Sequence, residues 1–252
     1  MSSRTSSGRN VPSSRRGRNV PTRKRSLAPI YALVGLIALI GIVGAALWSQ
    51  NRATPIEESR VPADVAIKPF DAPVGTTDDG FFYKGSPDAP VQVIEYADFQ
   101  CPGCGAFARD VEPSFTEQYV ESGQVQFIYH EFPLQQHRLA VPAANAARCA
   151  GEQDPAKFWQ MHDLIFHRQG EWPGDTNVAP RFSMYASEIG LDQAAFDQCM
   201  NEGRYNQQIQ QAGQAATAAG ATATPTFSVN GQLVSGPELQ QAVDAALQSQ
   251  GQ

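Results

Sequence analysis

Twenty-two consecutive residues, Leu27 to Trp48 (LAPIYALVGLIALIGIVGAALW), carry no charge. At about 1.5 Å per residue, a helix of this length reaches roughly 33 Å, enough to cross the hydrocarbon core of a bilayer. Tyr31 and Trp48 stand near its ends, where aromatic rings favour the headgroup region. Residues 1–26 contain eight basic residues and no acidic one, so the positive-inside rule keeps this tail in the cytoplasm and exports everything after Trp48. A cleavable signal peptide is the competing reading, with Val43-Gly44-Ala45 as its small-residue site. The apolar stretch is longer than the usual signal core of about 7 to 15 residues, so an uncleaved anchor is expected. Under either reading the rest of the chain lies outside the cytoplasm, in a periplasm or at the cell exterior.

The anchor separates regions of opposite charge. Outside the tail the chain holds 11 basic and all 25 acidic residues, a net −14, which argues against a nucleic-acid partner. The tail repeats GRNVP at 8–12 and 17–21 and is too polar to bury a core, so it is expected to be disordered and to serve topology. Residues 49–80, with Pro55, Pro62, Pro69 and Pro73 and no sustained periodicity, read as a linker. The folded domain is expected over 81–249. VQVIEY (91–96) reads as a buried strand and CGAFARDVEPSFTEQYV as the helix after it; QVQFIYHEF (124–132) reads as a second strand. Residues 137–220 are helical in character. TPTFSVNGQLV then reads as a hairpin turning at Asn230-Gly231, and GPELQQAVDAALQ as a last helix with Pro237 in its first turn. This order predicts an α/β domain, a sheet carrying helices on its faces, with 137–220 as an inserted helical layer.

The four cysteines divide into two pairs. Cys101 and Cys104, in CPGC, lie where a strand hands over to a helix. Pro102 suits the first helical position, which puts Cys101 at the helix N-terminus, where free N–H groups and the macrodipole favour a thiolate. Cys104, one turn on, can attack a mixed disulfide formed at Cys101, so the pair supplies the capture and resolution steps of thiol–disulfide exchange. As a staple the pair would close too small a loop to stabilise much. As a metal clamp it lacks two further ligands, because Cys149, Cys199 and the four histidines show no ligand spacing with it. No metal is expected. Cys149 and Cys199 sit in helical surroundings, and in an oxidising compartment they most simply pair with each other. A bridge across 50 residues would contribute about 4 kcal/mol, less any strain. A second redox relay is the alternative for these two.

With CPGC placed after a buried strand, residues 81–249 resemble the DsbA-like branch of the thioredoxin superfamily. The resemblance rests on CPGC, on Glu95 six residues before Cys101, on TPTFSVNG and on the helical stretch between the two motifs. It implies a thioredoxin fold with an inserted helical domain, here preceded by the transmembrane helix. It also implies that Glu95 is buried beneath the active site as a proton carrier for Cys104, and that Pro225 is a cis-proline facing the reactive sulfur. The backbone at Thr224 would then hydrogen-bond an extended substrate, with Pro102 and Gly103 beside it. Strongly oxidising members often have Pro-His between the cysteines, and that histidine helps hold the thiolate; Gly103 departs from the pattern and leaves the redox potential open. Phe99, Phe107 and Phe227 read first as core and only second as an apolar apron for unfolded chains.

The expected function is a membrane-anchored thiol:disulfide oxidoreductase that introduces disulfides into exported proteins and needs no cofactor. A monomer is expected. Its partners would be reduced or unfolded exported chains and a DsbB-like or vitamin K epoxide reductase-like membrane protein for reoxidation. A reductase or isomerase is the nearest alternative. A tethered copper chaperone using the same dithiol is more distant, since Met1, Met161, Met184 and Met200 lie far in sequence from residues 101–104.

Overall fold

A computed structural model of the protein describes residues 70–250. The basic tail, the apolar run at 27–48 and the linker up to residue 69 lie outside the described residues. Among the described residues no helix is long and apolar enough to cross a membrane.

The centre of the fold follows from VQVIEYA. In strand β3 (Val91–Ala97) side chains alternate between faces, so Val91, Val93, Glu95 and Ala97 share one face and Ile94 and Tyr96 the other. Strand β4 (Val125–Glu131) leaves Gly123, whose φ of 75° suits a glycine, and is buried along its whole length. The two strands pair in parallel, with Glu95 opposite Tyr129. Strands β1 (Val74–Thr76) and β2 (Phe82–Lys84) extend the sheet antiparallel beyond β4, and β5 (Thr226–Val229) and β6 (Gln232–Val234) extend it beyond β3, giving the order β1-β2-β4-β3-β5-β6. Asn230 and Gly231 both take positive φ at the β5–β6 turn, the backbone that a two-residue hairpin of matching twist requires.

A parallel pair needs a crossover. Helix α1 (Pro102–Asp110), helix α2 (Glu112–Phe115) and the wider turn Thr116–Val120 supply it. The single helix expected over this stretch is interrupted at Val111, two residues ahead of Pro113, which has no N–H to give to the turn before it. Helices α3 (Ala140–Gln153), α4 (Pro155–His167), α5 (Ala179–Glu188), α6 (Gln193–Glu202) and α7 (Asn206–Ala218) form the inserted layer between β4 and β5. Asp154 and Asp192 cap α4 and α6 by accepting from the N–H of Ala156 and Ala195. Alanines 143, 144, 146, 147 and 150 line the buried side of α3; being small they admit Phe158, Trp159, Ile165 and Phe166 of α4, all 1% exposed or less. Cys149 on α3 and Cys199 on α6 are disulfide-bonded. Helix α8 (Leu239–Gln250) closes the domain behind a one-turn 3₁₀ segment at Gly236–Glu238, where Ser235 and Glu238 form a capping box.

The described fold begins earlier than residue 81. Phe70 stands edge-on to Trp159 with ring centroids 6.4 Å apart, and β1, inside the stretch expected to be linker, pairs with β2. Strands of three residues are too short to display a period, so nothing in the sequence sets them apart from the proline-rich segment before them. Phe99, Phe107 and Phe227 are core residues, 1%, 6% and 0% exposed, in line with the first of their two readings.

Candidate active site

The reactive loop is held before it reaches the cysteines. After β3 the Asp98 carboxylate accepts the N–H of Gln100 at 2.7 Å, and the Asp98 carbonyl accepts the N–H of Cys101 at 2.9 Å. This is the tight turn that a short acidic side chain promotes. The second Asp98 oxygen accepts the Leu134 N–H at 2.8 Å and lies 2.9 Å from Nδ1 of His137. Gln100 Oε1 accepts the Leu139 N–H at 2.8 Å, and Gln169 Nε2 donates to the carbonyls of both Phe99 and Cys101 at 2.8 Å. The segment from Asp98 to Cys101 is thus tied to the β4–α3 connection and to the chain after α4.

Cys101 is the N-cap of α1, with extended backbone (φ −72°, ψ 122°) and no carboxylate in the first turn to compete for the helix N–H groups. Its sulfur lies 3.3 Å from the Thr224 carbonyl oxygen, to which the thiol donates. The Thr224–Pro225 peptide is cis, and a Cβ placed on Gly103 would lie 3.2 Å from Pro225 Cδ and 3.7 Å from the Cys101 sulfur. Glycine at 103 therefore lets the proline loop lie close against the reactive sulfur. The Cys104 thiol donates to Cys101 and lowers its pKa from 9.0 to about 5; burial opposes this, and the Thr224 hydroxyl and the N–H groups of Cys104 and Gly103 add to it. As a thiol Cys101 donates to the Thr224 carbonyl. As a thiolate it can instead accept from the Thr224 hydroxyl, which is buried and makes no other hydrogen bond. Cys104 is fully buried and its pKa is driven strongly upward, by burial first, then by donating to Cys101 and by the nearby charges of Glu95 and Cys101. One thiol is thus disposed to ionise and the other to keep its proton.

Glu95 lies on β3 beneath the pair, 1% exposed, and neither carboxylate oxygen has a hydrogen-bond partner. Burial raises its pKa well above the ordinary carboxylate range; the charge of Glu112 adds to the rise, Lys84 opposes it and Cys101 adds to it. Around it the fold assembles groups that sequence reasoning did not connect with it. Lys84 of β2 donates to Glu112 of α2 at 2.5 Å, with its ammonium 4.7 Å from the Trp159 ring centroid. Ligand atoms of Glu95, Glu112 and His162 of α4 lie within 4.8 Å of one another, all three residues buried. These are the groups that would face an ion if one bound. A buried charge in short β2 or a histidine inside an aromatic helix has no local signature; only the polar positions within apolar runs, Lys84 after FFY and His162 in FWQMHDLIF, mark them.

A family model described as Thioredoxin matches residues 77–249. Among curated proteins the chain is 34% identical over 226 residues to Na(+)/H(+) antiporter NhaA 3 of Salinispora tropica, covering 86% of this chain and 32% of that protein. It is 34% identical over 87 residues to disulfide bond formation protein D of Bacillus subtilis, covering 34% of this chain and 38% of the relative. The chain therefore spans about a third of the length of the curated relatives it matches. Among solved structures, oxidised BdbD from Bacillus subtilis superposes with a TM-score of 0.62 at 23% identity, covering 71% of this chain and 99% of BdbD. The strand, the CPGC helix and the cis-proline loop fall inside the matched span, which takes in most of the sequence, and the chain belongs to the thioredoxin family.

Proposed function

We propose that the protein is a protein thiol:disulfide oxidoreductase that acts outside the cytoplasm and runs as an oxidase. The observation that carries this reading is the Cys101 sulfur at the N-terminus of α1, lowered to about 5 and set against the cis Thr224–Pro225 step. The likeness to disulfide bond formation protein D supports the class of chemistry. A substrate thiolate attacks Cys101 of the Cys101–Cys104 disulfide, Cys104 departs as a thiolate and takes a proton, and a second substrate thiolate attacks the substrate sulfur of the mixed disulfide and releases Cys101 as a stabilised thiolate. The enzyme leaves the cycle as a dithiol, and a quinone-linked membrane protein of the DsbB or vitamin K epoxide reductase type would reoxidise it.

With Cys104→Ser, incubation with disulfide glutathione and then a reduced unfolded protein should build up a mixed disulfide at Cys101, seen by mass spectrometry. No adduct at Cys101 would overturn the assignment of the attacked sulfur. The anchor proposed for Leu27–Trp48 predicts that the mature protein stays in the membrane pellet after alkaline carbonate extraction. A soluble product whose N-terminus lies near Ala46 would contradict it.

A further inference from the structure

Cys104 and Glu95 are sealed from solvent, 0% and 1% exposed, yet each catalytic cycle must bring a proton in and take one out. We propose that Glu112, His162 and Asp163 form the path by which Glu95 exchanges that proton with solvent. The proposal rests on the exchange reaction assigned above to Cys101 and Cys104, and it concerns how the buried proton leaves.

The geometry runs in one direction. Oxygens of Glu95 and Glu112 and a ring nitrogen of His162 lie within 4.8 Å of one another, with Glu112 Oε2 at 4.0 Å from His162 Nε2. Both Glu95 oxygens, Glu112 Oε2 and His162 Nε2 are buried without a hydrogen-bond partner. One carboxylate oxygen from each glutamate and the ring nitrogen, all within 4.8 Å of one another, are close enough for a single water to bridge. On its far side the ring passes Nδ1 to Asp163 Oδ1 at 2.9 Å. The Asp163 side chain is 23% exposed, whereas those of Lys84, Glu112 and His162 are 5% exposed or less. Lys84, Cys101 and Cys104 also act on Glu95, as does Tyr129, opposite it across β3 and β4, whose phenol is unpartnered and has its pKa pushed upward by burial. Rings of Phe99, Tyr129, Trp159 and Phe166 box His162, with centroids 4.9 to 5.7 Å away. The imidazole is thereby fixed as a conduit with one nitrogen inward and one outward.

Charge decides what occupies the cluster. With both carboxyls ionised, the Lys84 ammonium in place and the imidazole uncharged, the cluster would carry one negative charge. One proton cancels it, whereas a divalent ion would leave a positive charge buried among aromatic rings. When Cys104 leaves as a thiolate it takes the Glu95 proton. Glu95 then regains one that passes from Nε2 of His162 by way of Glu112 Oε2, and the ring takes up its replacement at Nδ1 from water at Asp163. During reoxidation the same transfers run outward: Cys104 gives its proton to Glu95 and attacks Cys101 in the mixed disulfide formed with the oxidising partner, whose sulfur leaves as a thiolate. His162 and Asp163 touch neither sulfur and act through Glu95.

The test compares wild type with His162→Phe, which fills the aromatic box, and Asp163→Asn, a partly exposed change that keeps the fold if the buried one does not. Stopped-flow mixing would follow release of glutathione from the Cys101 mixed disulfide, a step that needs Cys104 deprotonated. Iodoacetamide alkylation of Cys101 serves as the control. Release at pH 7 should slow on the order of 10²-fold in His162→Phe and about 10-fold in Asp163→Asn. The rate should recover as pH rises and carry an enlarged solvent isotope effect, with Cys101 alkylation unchanged. Wild-type release rates and isotope effects in a folded variant would overturn the relay. Failure of the wild-type protein itself to release glutathione would instead overturn the exchange reading.

Discussion

Glu95→Leu is expected to make the protein more stable and its Cys104-dependent steps slower by a factor of about 10² to 10⁴, the range of general acid–base catalysis. The stability gain arises because no protein group hydrogen-bonds the buried carboxyl to offset its desolvation, so an apolar side chain of similar size should recover about 1–3 kcal/mol. The gain depends on pH in a direction fixed by the raised pKa. A group whose folded pKa lies above its unfolded one holds its full contribution below the unfolded pKa of 4.5 and loses it as pH rises through the folded value. Wild-type stability should therefore fall above the ordinary carboxylate range, and the variant should lack that decline. Chemical denaturation at several pH values and stopped-flow oxidation of the dithiol check both halves. A variant that oxidises at the wild-type rate would remove Glu95 from the proton path.

Arg148→Ala should cost about 3–5 kcal/mol in urea denaturation, the loss typical of breaking a buried ion pair. The guanidinium grips Glu131 through two bonds of 2.6 and 2.7 Å, with both side chains 2% exposed, and donates to the Gly80 carbonyl at 3.1 Å. It also lies over the rings of Phe81 and Tyr205. Truncation strands the Glu131 carboxylate inside the fold, at the end of β4 and one residue before Phe132, whose N–H donates to Ala97 ahead of the reactive loop. Arg148→Lys should recover little, because a point charge cannot make the paired contact. A loss below about 1 kcal/mol, the scale of an exposed pair, would mean that the ion pair is not buried as described.

The parts of this protein written in local sequence were readable from it. VQVIEY alternates as a buried strand should, Pro102 marks where the helix starts, and Asn230-Gly231 marks the hairpin. CPGC, Glu95 and Thr224-Pro225 were singled out from sequence, and the fold sets them together through β3, α1 and β5. What stayed hidden depends on distance along the chain. Lys84, Glu112 and His162 come from a three-residue strand, a four-residue helix and the second inserted helix, and no local pattern connects them. Gln169 is an ordinary polar residue after a helix until its side chain is seen bonded to the Cys101 carbonyl. Strand β1 was merged with the linker because three residues give no period.

On the proposed oxidase reading, the fold stabilises the Cys101 thiolate strongly enough to make the dithiol form the favoured product. Gly103 contributes no side chain to this; the donors are the Cys104 thiol, the Thr224 hydroxyl and the N–H groups of Gly103 and Cys104. A depressed thiol pKa stabilises the reduced fold above the unfolded value of 9.0, and that stabilisation disappears as pH falls through about 5. At pH 7 about two of those pH steps remain, about 2.7 kcal/mol, which corresponds to about 60 mV for a two-electron couple. Attacking thiols with pKa near 7 and 3.5 accompany potentials of about −270 and −120 mV. The reduction potential of the Cys101–Cys104 couple, equilibrated with glutathione at pH 7, decides the direction of electron flow. A value near −190 mV, about midway between those two, is predicted. A value at or below about −270 mV would contradict it and make the protein a reductase.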